Sequence, residues 1–281
     1  MNSVDARSGA VPARAAQSTE AGASVPPVIE LDRVARRFTS PEGKIIQALR
    51  DFSMTVRPGE FCAVVGPTGC GKSTTLGLIA GLARPSAGAV RIEGKPVEGV
   101  EPRIGFVFQQ DAVFPWKNVL DNVSAGPLFR GKPKEEALAA ARDWVRRVGL
   151  AGFEAHYPHQ LSGGMRKRVA LAQTFINGPD ILLMDEPFSA LDVQTRSLMQ
   201  DELLQLWSKH RAAVVFVTHD IDEAITLADR VFVLTRGPAT VKSVYAIDLP
   251  RPRVVAEARY SARFIELSRQ IWNDLRDEVT I

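Results

Sequence analysis

The 281-residue sequence predicts an α/β fold with an antiparallel β edge and a helical subdomain inserted midway. Three observations predict it. "GEFCAVVG" carries a continuous apolar run, Phe61 to Val65, of the kind expected in a strand buried on both faces, and a glycine-rich loop and a helical pattern follow it. Strand texture returns late in the chain in "DILLMDEP" and "AVVFVTHD", separated by the helical "VQTRSLMQDELLQLWSKH". Between these parts, from about Asp111 to Gly178, the texture is helical.

Residues 1–27 are rich in Ala, Ser, Gly and Pro and lack aromatics, so they read as a disordered tail. Order is expected to begin at "VIELDRVARRF", whose period-two alternation suggests an edge strand, with "IIQALRDFSMTV" as a second alternating stretch. The helix after the glycines places Leu76, Ile79 and Ala80 on one face, and "GAVRIEG" and "RIGFVFQ" read as short strands. In the helical insertion, about 111–178, Ala137, Leu138, Ala141, Val145 and Val148 recur at helical spacing, and "GGMRKRVALAQTFI" forms a second helix. The main domain is expected to span 28–260. Residues 261–281 form a C-terminal amphipathic helix with Phe264, Leu267, Ile271 and Leu275 on one side.

Composition narrows the function. A net charge of +3 is too weak to argue for nucleic acid without a basic stripe. Cys62 and Cys70 do not make a disulfide framework, which favours the cytosol. The N-terminus lacks the apolar stretch of a signal peptide, and no run approaches the ~18 apolar residues that span a bilayer. A membrane role would need a separate membrane partner.

The chemistry lies in two cradles and a pair of carboxylates. "GPTGCGKST", Gly66 to Thr74, matches G-x-x-x-x-G-K-[ST] between a strand and a helix. The glycines Gly66, Gly69 and Gly71 would let the backbone N–H groups of a loop that also holds Pro67, Thr68, Cys70 and Thr74 curl around phosphate oxygens. Lys72 would reach the β- and γ-phosphates, and the Ser73 hydroxyl would ligate Mg²⁺. "ILLMDEP" ends a hydrophobic strand in Asp185, placed to hold Mg²⁺, and Glu186, which points elsewhere and could polarise an attacking water; the alternative, an ordinary acidic turn, is disfavoured by the phosphate loop upstream. A second anion site lies in "HQLSGGMRKRVALAQ", where Ser-Gly-Gly opens a basic helix and its dipole.

In these motifs the chain resembles the nucleotide-binding subunits of ATP-binding-cassette (ABC) transporters over roughly residues 28 to 280. The diagnostic pieces are the signature "LSGGM", Leu161 to Met165, the "DEP" carboxylates and the "SALD" that follows, Ser189 to Asp192. The resemblance implies a P-loop NTPase (RecA-like) core that hydrolyses ATP with Mg²⁺. It implies that Gln109 contacts Mg²⁺ and water, with Gln110 a nearby competitor, and that the Ser189–Asp192 loop touches the opposite subunit. His219 of "VTHD" would contact the γ-phosphate. Phe38 would stack on adenine, although a Phe ending an alternating strand also suits a core. Two copies pack head to tail in this family, so that Ser162, Gly163 and Gly164 of each cap the ATP held by the other. The second cradle would therefore serve the partner's nucleotide. Met165 stands where Gln is commonest, Gln173 where many relatives carry Arg, and Lys167 where many carry Gln; these departures touch helix packing.

"LSGGM", "FPWKNVLDNV" and "IWNDLRDEV" resemble the importer branch that handles nitrate, sulfonates and taurine. That implies transmembrane permease subunits, an extracytoplasmic solute-binding protein acting indirectly, a peripheral place on the cytoplasmic face of the inner membrane, and no nucleic acid. Phe114 and Trp116 are the expected permease contact, with core of the helical subdomain as the alternative for Trp116. A soluble cassette ATPase acting on nucleic acid or ribosomes usually has two cassettes or long coiled coils, and this chain has neither. A small-molecule P-loop kinase has no use for "LSGGM" or "SALD".

Overall fold

Alternate residues of the apolar strands enter different cores, and this organises the molecule. The computed structural model describes residues 25–110 and 112–279. In β3 (Phe61–Val65), Phe61, Ala63 and Val65 face one hydrophobic core while Cys62 and Val64 face the other. β7 (Ile181–Asp185) and β8 (Ala213–Thr218) divide in the same way. A strand with period-two geometry and no polar positions can bury both faces, which is what a central parallel strand requires.

Among the described residues these strands belong to a six-stranded sheet in the order β10-β9-β3-β8-β7-β6, with β6 (Ile104–Val107), β9 (Arg230–Leu234) and β10 (Val241–Ala246). All pairings are parallel except β10 with β9. The antiparallel component thus takes two forms: β10 at one margin, and a separate four-stranded sheet, β2-β1-β4-β5. The latter comprises β1 (Ile29–Thr39), β2 (Ile45–Val56), β4 (Ala87–Ile92) and β5 (Lys95–Pro96). β1 is not an edge strand, as its alternation suggested; it pairs with β2 on one side and β4 on the other. Alternation reports that one face of a sheet meets the core and the other meets water, and it says nothing about position across the sheet.

Helix α1 (Lys72–Ile79) follows β3 and buries Leu76 and Ile79, with Ala80 as its C-cap, in the core between the two sheets. Between β6 and β7 the chain forms α2 (Val119–Phe129), α3 (Lys134–Arg147), a 3-10 turn at Pro158–Gln160 and α4 (Gly163–Phe175). Ala137, Ala141, Val145 and Val148 are buried as their spacing predicts. α5 (Val193–His210) and α6 (Ile221–Leu227) flank β8. A short α7 (Val255–Ala258) leads to α8 (Ala262–Val279), whose Phe264, Leu267, Ile271 and Leu275 are all buried. β9, β10 and α6 had no place in the sequence reading. Up to residue 24, the tail expected over residues 1–27 lies outside the described residues. Cys62 and Cys70 are buried free thiols.

One buried arginine fastens the C-terminal segment. The Arg253 guanidinium donates to the carbonyls of Ala228 (2.6 Å), Thr226 (3.1 Å) and Ile225 (3.2 Å) at the end of α6, and to those of Leu249 (3.1 Å) and Ile247 (3.3 Å). Burial, with Arg251 nearby, pushes its pKa down to about 10, so it stays charged at neutral pH. Arg253→Met is expected to cost about 3 kcal/mol, because several buried acceptors lose their donor at once. A urea titration measures this, and an unchanged midpoint would refute it.

Candidate functional site

Four parallel strands lie side by side in the order β3, β8, β7, β6, and each delivers a predicted residue just past its C-terminal end. β3 leads into Gly66–Thr74, β8 into His219, β7 ends in Asp185 and passes to Glu186, and β6 leads to Gln109. A parallel sheet gathers residues far apart in sequence along one edge, which is where ligands bind in α/β folds.

The loop after β3 is shaped by Gly71, the residue that caps α1, at φ 122°. A Cβ there would lie 2.9 Å from Leu49 Cδ2 and 3.1 Å from the Ala48 carbonyl, so neither the backbone conformation nor the space admits a side chain. The N–H groups of Gly69, Gly71, Ser73 and Thr74 find no acceptor among the described residues, which leaves a ring of donors at a helix N-terminus. Lys72 curls back over this ring, and its Nζ donates to the carbonyls of Gly66 (2.8 Å) and Pro67 (3.0 Å). Pro67, Thr68 and Cys70 complete the turn, closed by the Cys70 N–H on the Pro67 carbonyl at 3.3 Å.

The carboxylates face this loop differently. Asp185 Oδ1 accepts the Ser73 hydroxyl at 3.1 Å. Burial raises the Asp185 carboxyl above its ordinary value, and the Ser73 hydrogen bond only partly offsets this. A half-buried carboxylate beside a hydroxyl offers hard oxygen ligands, and a divalent cation would relieve the burial that now disfavours its charge, so the donor set fits Mg²⁺. Glu186 adopts φ 42°, a conformation uncommon for a residue with a Cβ, and this turns its side chain away from that of Asp185. Its N–H donates to Val217 O at 2.9 Å, and its carbonyl accepts the Ser189 hydroxyl at 3.0 Å. Glu186 Oε2 then lies 3.4 Å from Gln109 Nε2 and 3.1 Å from His219 Nδ1. The site thus holds an oriented carboxylate between an amide and an imidazole, which is an arrangement able to place a water and take its proton.

The second cradle is apart from the first. Ser162 caps α4 by accepting the Met165 N–H at 3.2 Å. A Cβ on Gly164 would come within 2.8 Å of Thr195 Cγ2, so the start of α4 needs glycine to pack against the start of α5. Asp192 caps α5 there, accepting the N–H groups of Thr195 (3.0 Å) and Gln194 (3.1 Å); the Thr195 bonds hold its carboxyl below the usual value. Ser162, Gly163, Gly164 and Asp192 are therefore neighbours. Among the described residues, no hydrogen bond joins Ser162, Gly163 or Gly164 to Gly66–Thr74.

The departures in α4 are accommodated. Met165 packs on the core. Lys167 is buried and donates to the carbonyls of Phe108 and Gln109, each at 3.3 Å, and so links α4 to the Gln109 segment, a contact that no sequence spacing signals. Gln173 lines a groove with Phe106, Phe108, Phe114 and Phe129. Trp116, its ring 5.6 Å from that of Phe114, is 71% exposed and is not core. Phe38 is also partly exposed, with the Arg36 guanidinium 4.6 Å from its ring centre, a neighbour that the sequence reading missed. Polar residues that the sequence did not single out, Arg196, Gln200 and Glu223, bond to one another or to Thr218 and Asp220 on either side of His219; the D-x-x-E pattern of Asp220 and Glu223, a helix-start signature, was the available signal.

Comparison with known proteins agrees with this geometry. Residues 49–189 match the profile of the ABC transporter family. The chain is 49% identical over 237 residues to an uncharacterized ABC transporter ATP-binding protein of Methanocaldococcus jannaschii, covering 84% of this chain and 87% of that one. It is 37% identical over 243 residues to the aliphatic sulfonates import ATP-binding protein of Bacillus cereus, covering 86% and 94%. A dimeric ATP-binding cassette in a post-hydrolysis state, bound to ADP and Pi, superposes with a TM-score of 0.70 at 33% identity over 79% of this chain and 100% of that one. The matched span includes both cradles and the carboxylate strand that follows them, and the chain belongs to the ABC transporter family as one of its ATP-binding, ATP-hydrolysing subunits.

Proposed function

We propose that two copies of this chain close head to tail around two ATP molecules and use their hydrolysis to drive a permease that imports a small anionic or zwitterionic solute of the nitrate, sulfonate or taurine kind. The observation that carries the reading is the convergence on Glu186, whose Oε2 lies within reach of both Gln109 and His219 while Asp185 holds Ser73 of the phosphate loop.

In this reading the N–H groups of Gly69, Gly71, Ser73 and Thr74 bind the phosphates, and Lys72 exchanges the carbonyls of Gly66 and Pro67 for β- and γ-phosphate oxygens. Ser73, Asp185 and Gln109 would hold Mg²⁺, which when bound would supply positive charge against the phosphate oxygens. Glu186 takes the proton of the attacking water, and His219 meets the γ-phosphate. Phe38 stacks on adenine. Ser162, Gly163 and Gly164 of the second copy cap the open side of the nucleotide, with Asp192 beside them, and exclude water as the sites close. The separation of the two cradles within one chain supports this arrangement, as does the dimeric state of the superposed cassette.

No helix among the described residues is long and apolar enough to cross a membrane, so the chain would attach to the inner membrane peripherally, through the permease. Its docking surface is formed by the exposed Trp116 and Phe129, each in ring contact with the half-buried Phe114, next to the Gln109 segment that would report nucleotide state. The solute-binding protein acts from the other side of the membrane. Removal of an exposed aromatic anchor costs about 2 kcal/mol of binding, or about 30-fold. Trp116→Ala is therefore expected to fold and bind ATP normally but to co-purify poorly with the permease. If it unfolds the subunit, or assembles at full yield, the docking assignment fails.

A further inference from the structure

His219 is unusual in its support. Its side chain is 58% exposed and touches Glu186 Oε2, yet the residues on either side of it are anchored in a buried polar cluster. Thr218, before it, is 2% exposed and donates its hydroxyl to Glu223 Oε2 at 2.7 Å. Asp220, after it, donates its N–H to Thr218 Oγ1 at 3.0 Å and caps α6 by accepting the N–H groups of Asp222 (2.8 Å) and Glu223 (3.1 Å). Glu223 is 6% exposed, and its other oxygen accepts Gln200 Nε2 of α5 at 3.1 Å. With the backbone held on both sides, the histidine ring keeps little freedom beyond its own two side-chain torsions.

The same cluster reaches the "SALD" loop. Arg196 stands one turn into α5, the helix that Asp192 caps. It donates to the Leu191 carbonyl at 3.1 Å and to Asp220 Oδ2 at 3.3 Å. Its Nε is buried without a hydrogen bond, 3.8 Å from Glu223 Oε1. A shift of about 0.6 Å would bring that pair within hydrogen-bond distance. Arg196 Nε is thus a buried donor without a hydrogen bond beside a buried carboxylate, at the point where the helix that follows the loop meets the His219 segment.

We propose that Arg196 and Glu223 are positioning residues that tie the Ser189–Asp192 loop to the His219 of the same copy. The loop that faces the second copy and the histidine that faces the γ-phosphate then shift together. This rests on the roles given above to His219 and to that loop. Neither Arg196 nor Glu223 touches the nucleotide; they act by setting where His219 sits relative to Glu186.

The test uses the purified full chain with MgATP. His219→Ala is measured first, and wild-type turnover in it would refute the role of His219 itself, separately from the link. With His219 shown to matter, Arg196→Met and Glu223→Gln are each expected to lower kcat by about 10- to 100-fold, the scale of a misplaced group, with KM for ATP within about twofold. Each variant combined with His219→Ala should turn over no more slowly than His219→Ala alone. With only four histidines in the chain, labelled-histidine NMR resolves them, and the His219 ring signal alone should move in Arg196→Met. Arg196→Lys, which keeps the charge, should recover part of the rate. It takes the place of Arg196→Met in the same cycle if the latter does not fold. Full additivity with His219→Ala, an unmoved His219 signal, or a loss shared equally between ATP binding and turnover would overturn the proposal.

Discussion

A tethered dimer that joins a Lys72→Ala copy to a Ser162→Arg copy is expected to regain the ATP hydrolysis that neither homodimer shows. Lys72→Ala removes the ammonium that now rests on Gly66 and Pro67, and Ser162→Arg puts a bulky cation where α4 presents its bare N-terminus. Loss of such electrostatic contacts typically costs about 100- to 1000-fold in turnover, so both homodimers should be nearly inactive. Head-to-tail packing sets the intact phosphate loop of the Ser162→Arg copy against the intact signature of the Lys72→Ala copy, and one complete site survives. Activity should rise at least about tenfold above either homodimer. The counter-experiment places both changes on one copy and pairs it with wild type. Every site then contains one broken half, and this dimer should stay inactive. If each chain used its own two cradles the pattern would reverse, and phosphate release from the two tethered dimers decides between them. Ser162 also caps α4, and losing a cap costs about 1 kcal/mol, so the melting temperature of Ser162→Arg is the needed control.

Glu186→Gln is expected to bind ATP at nearly wild-type affinity and to hydrolyse it about 100- to 10,000-fold more slowly. The amide keeps the shape of the carboxylate and its place between Gln109 and His219, but it cannot take a proton from water. Lys72, Ser73 and Asp185 are untouched, so nucleotide should still assemble the dimer, and the variant should accumulate as an ATP-bound dimer on size-exclusion chromatography. Wild-type turnover in Glu186→Gln would remove Glu186 from the mechanism.

Much of the site was legible because its chemistry is local in sequence. Gly66 to Thr74 needs closely spaced glycines to turn its N–H groups toward one point, and Ser162 to Gly164 needs a cap followed by residues without bulk, so each motif carries its own geometry. Asp185 and Glu186 were legible as the end of an apolar strand. The contacts of Lys167, Arg196, Gln200 and Glu223 were not legible. Each is a charged or polar residue on a helix, where a solvated position is the ordinary expectation, and only the packing of α4, α5 and α6 around the strand ends turns these side chains inward. β1 misled because alternation records which face of a sheet is buried and not which strands lie beside it.

By itself the sequence determined the α/β class, the glycine-rich loop before one helix and the Ser-Gly-Gly start of another, the carboxylate pair and the amphipathic C-terminal helix. These depend on residue type, short spacing and hydrophobic period, which the chain carries wherever it goes. Tertiary structure alone decided that Gln109, Glu186 and His219 share one carboxylate oxygen, that Ser73 meets Asp185, and that Trp116 faces solvent. The first two follow from the strand order β3-β8-β7-β6, which sets the ends of four strands side by side although their sequence order is different. The turn at Glu186 adds the last element. Its positive φ points one carboxylate at the histidine and leaves its neighbour on the phosphate loop, a choice made by backbone hydrogen bonds to Val217 and Ser189 and written in no spacing of the chain.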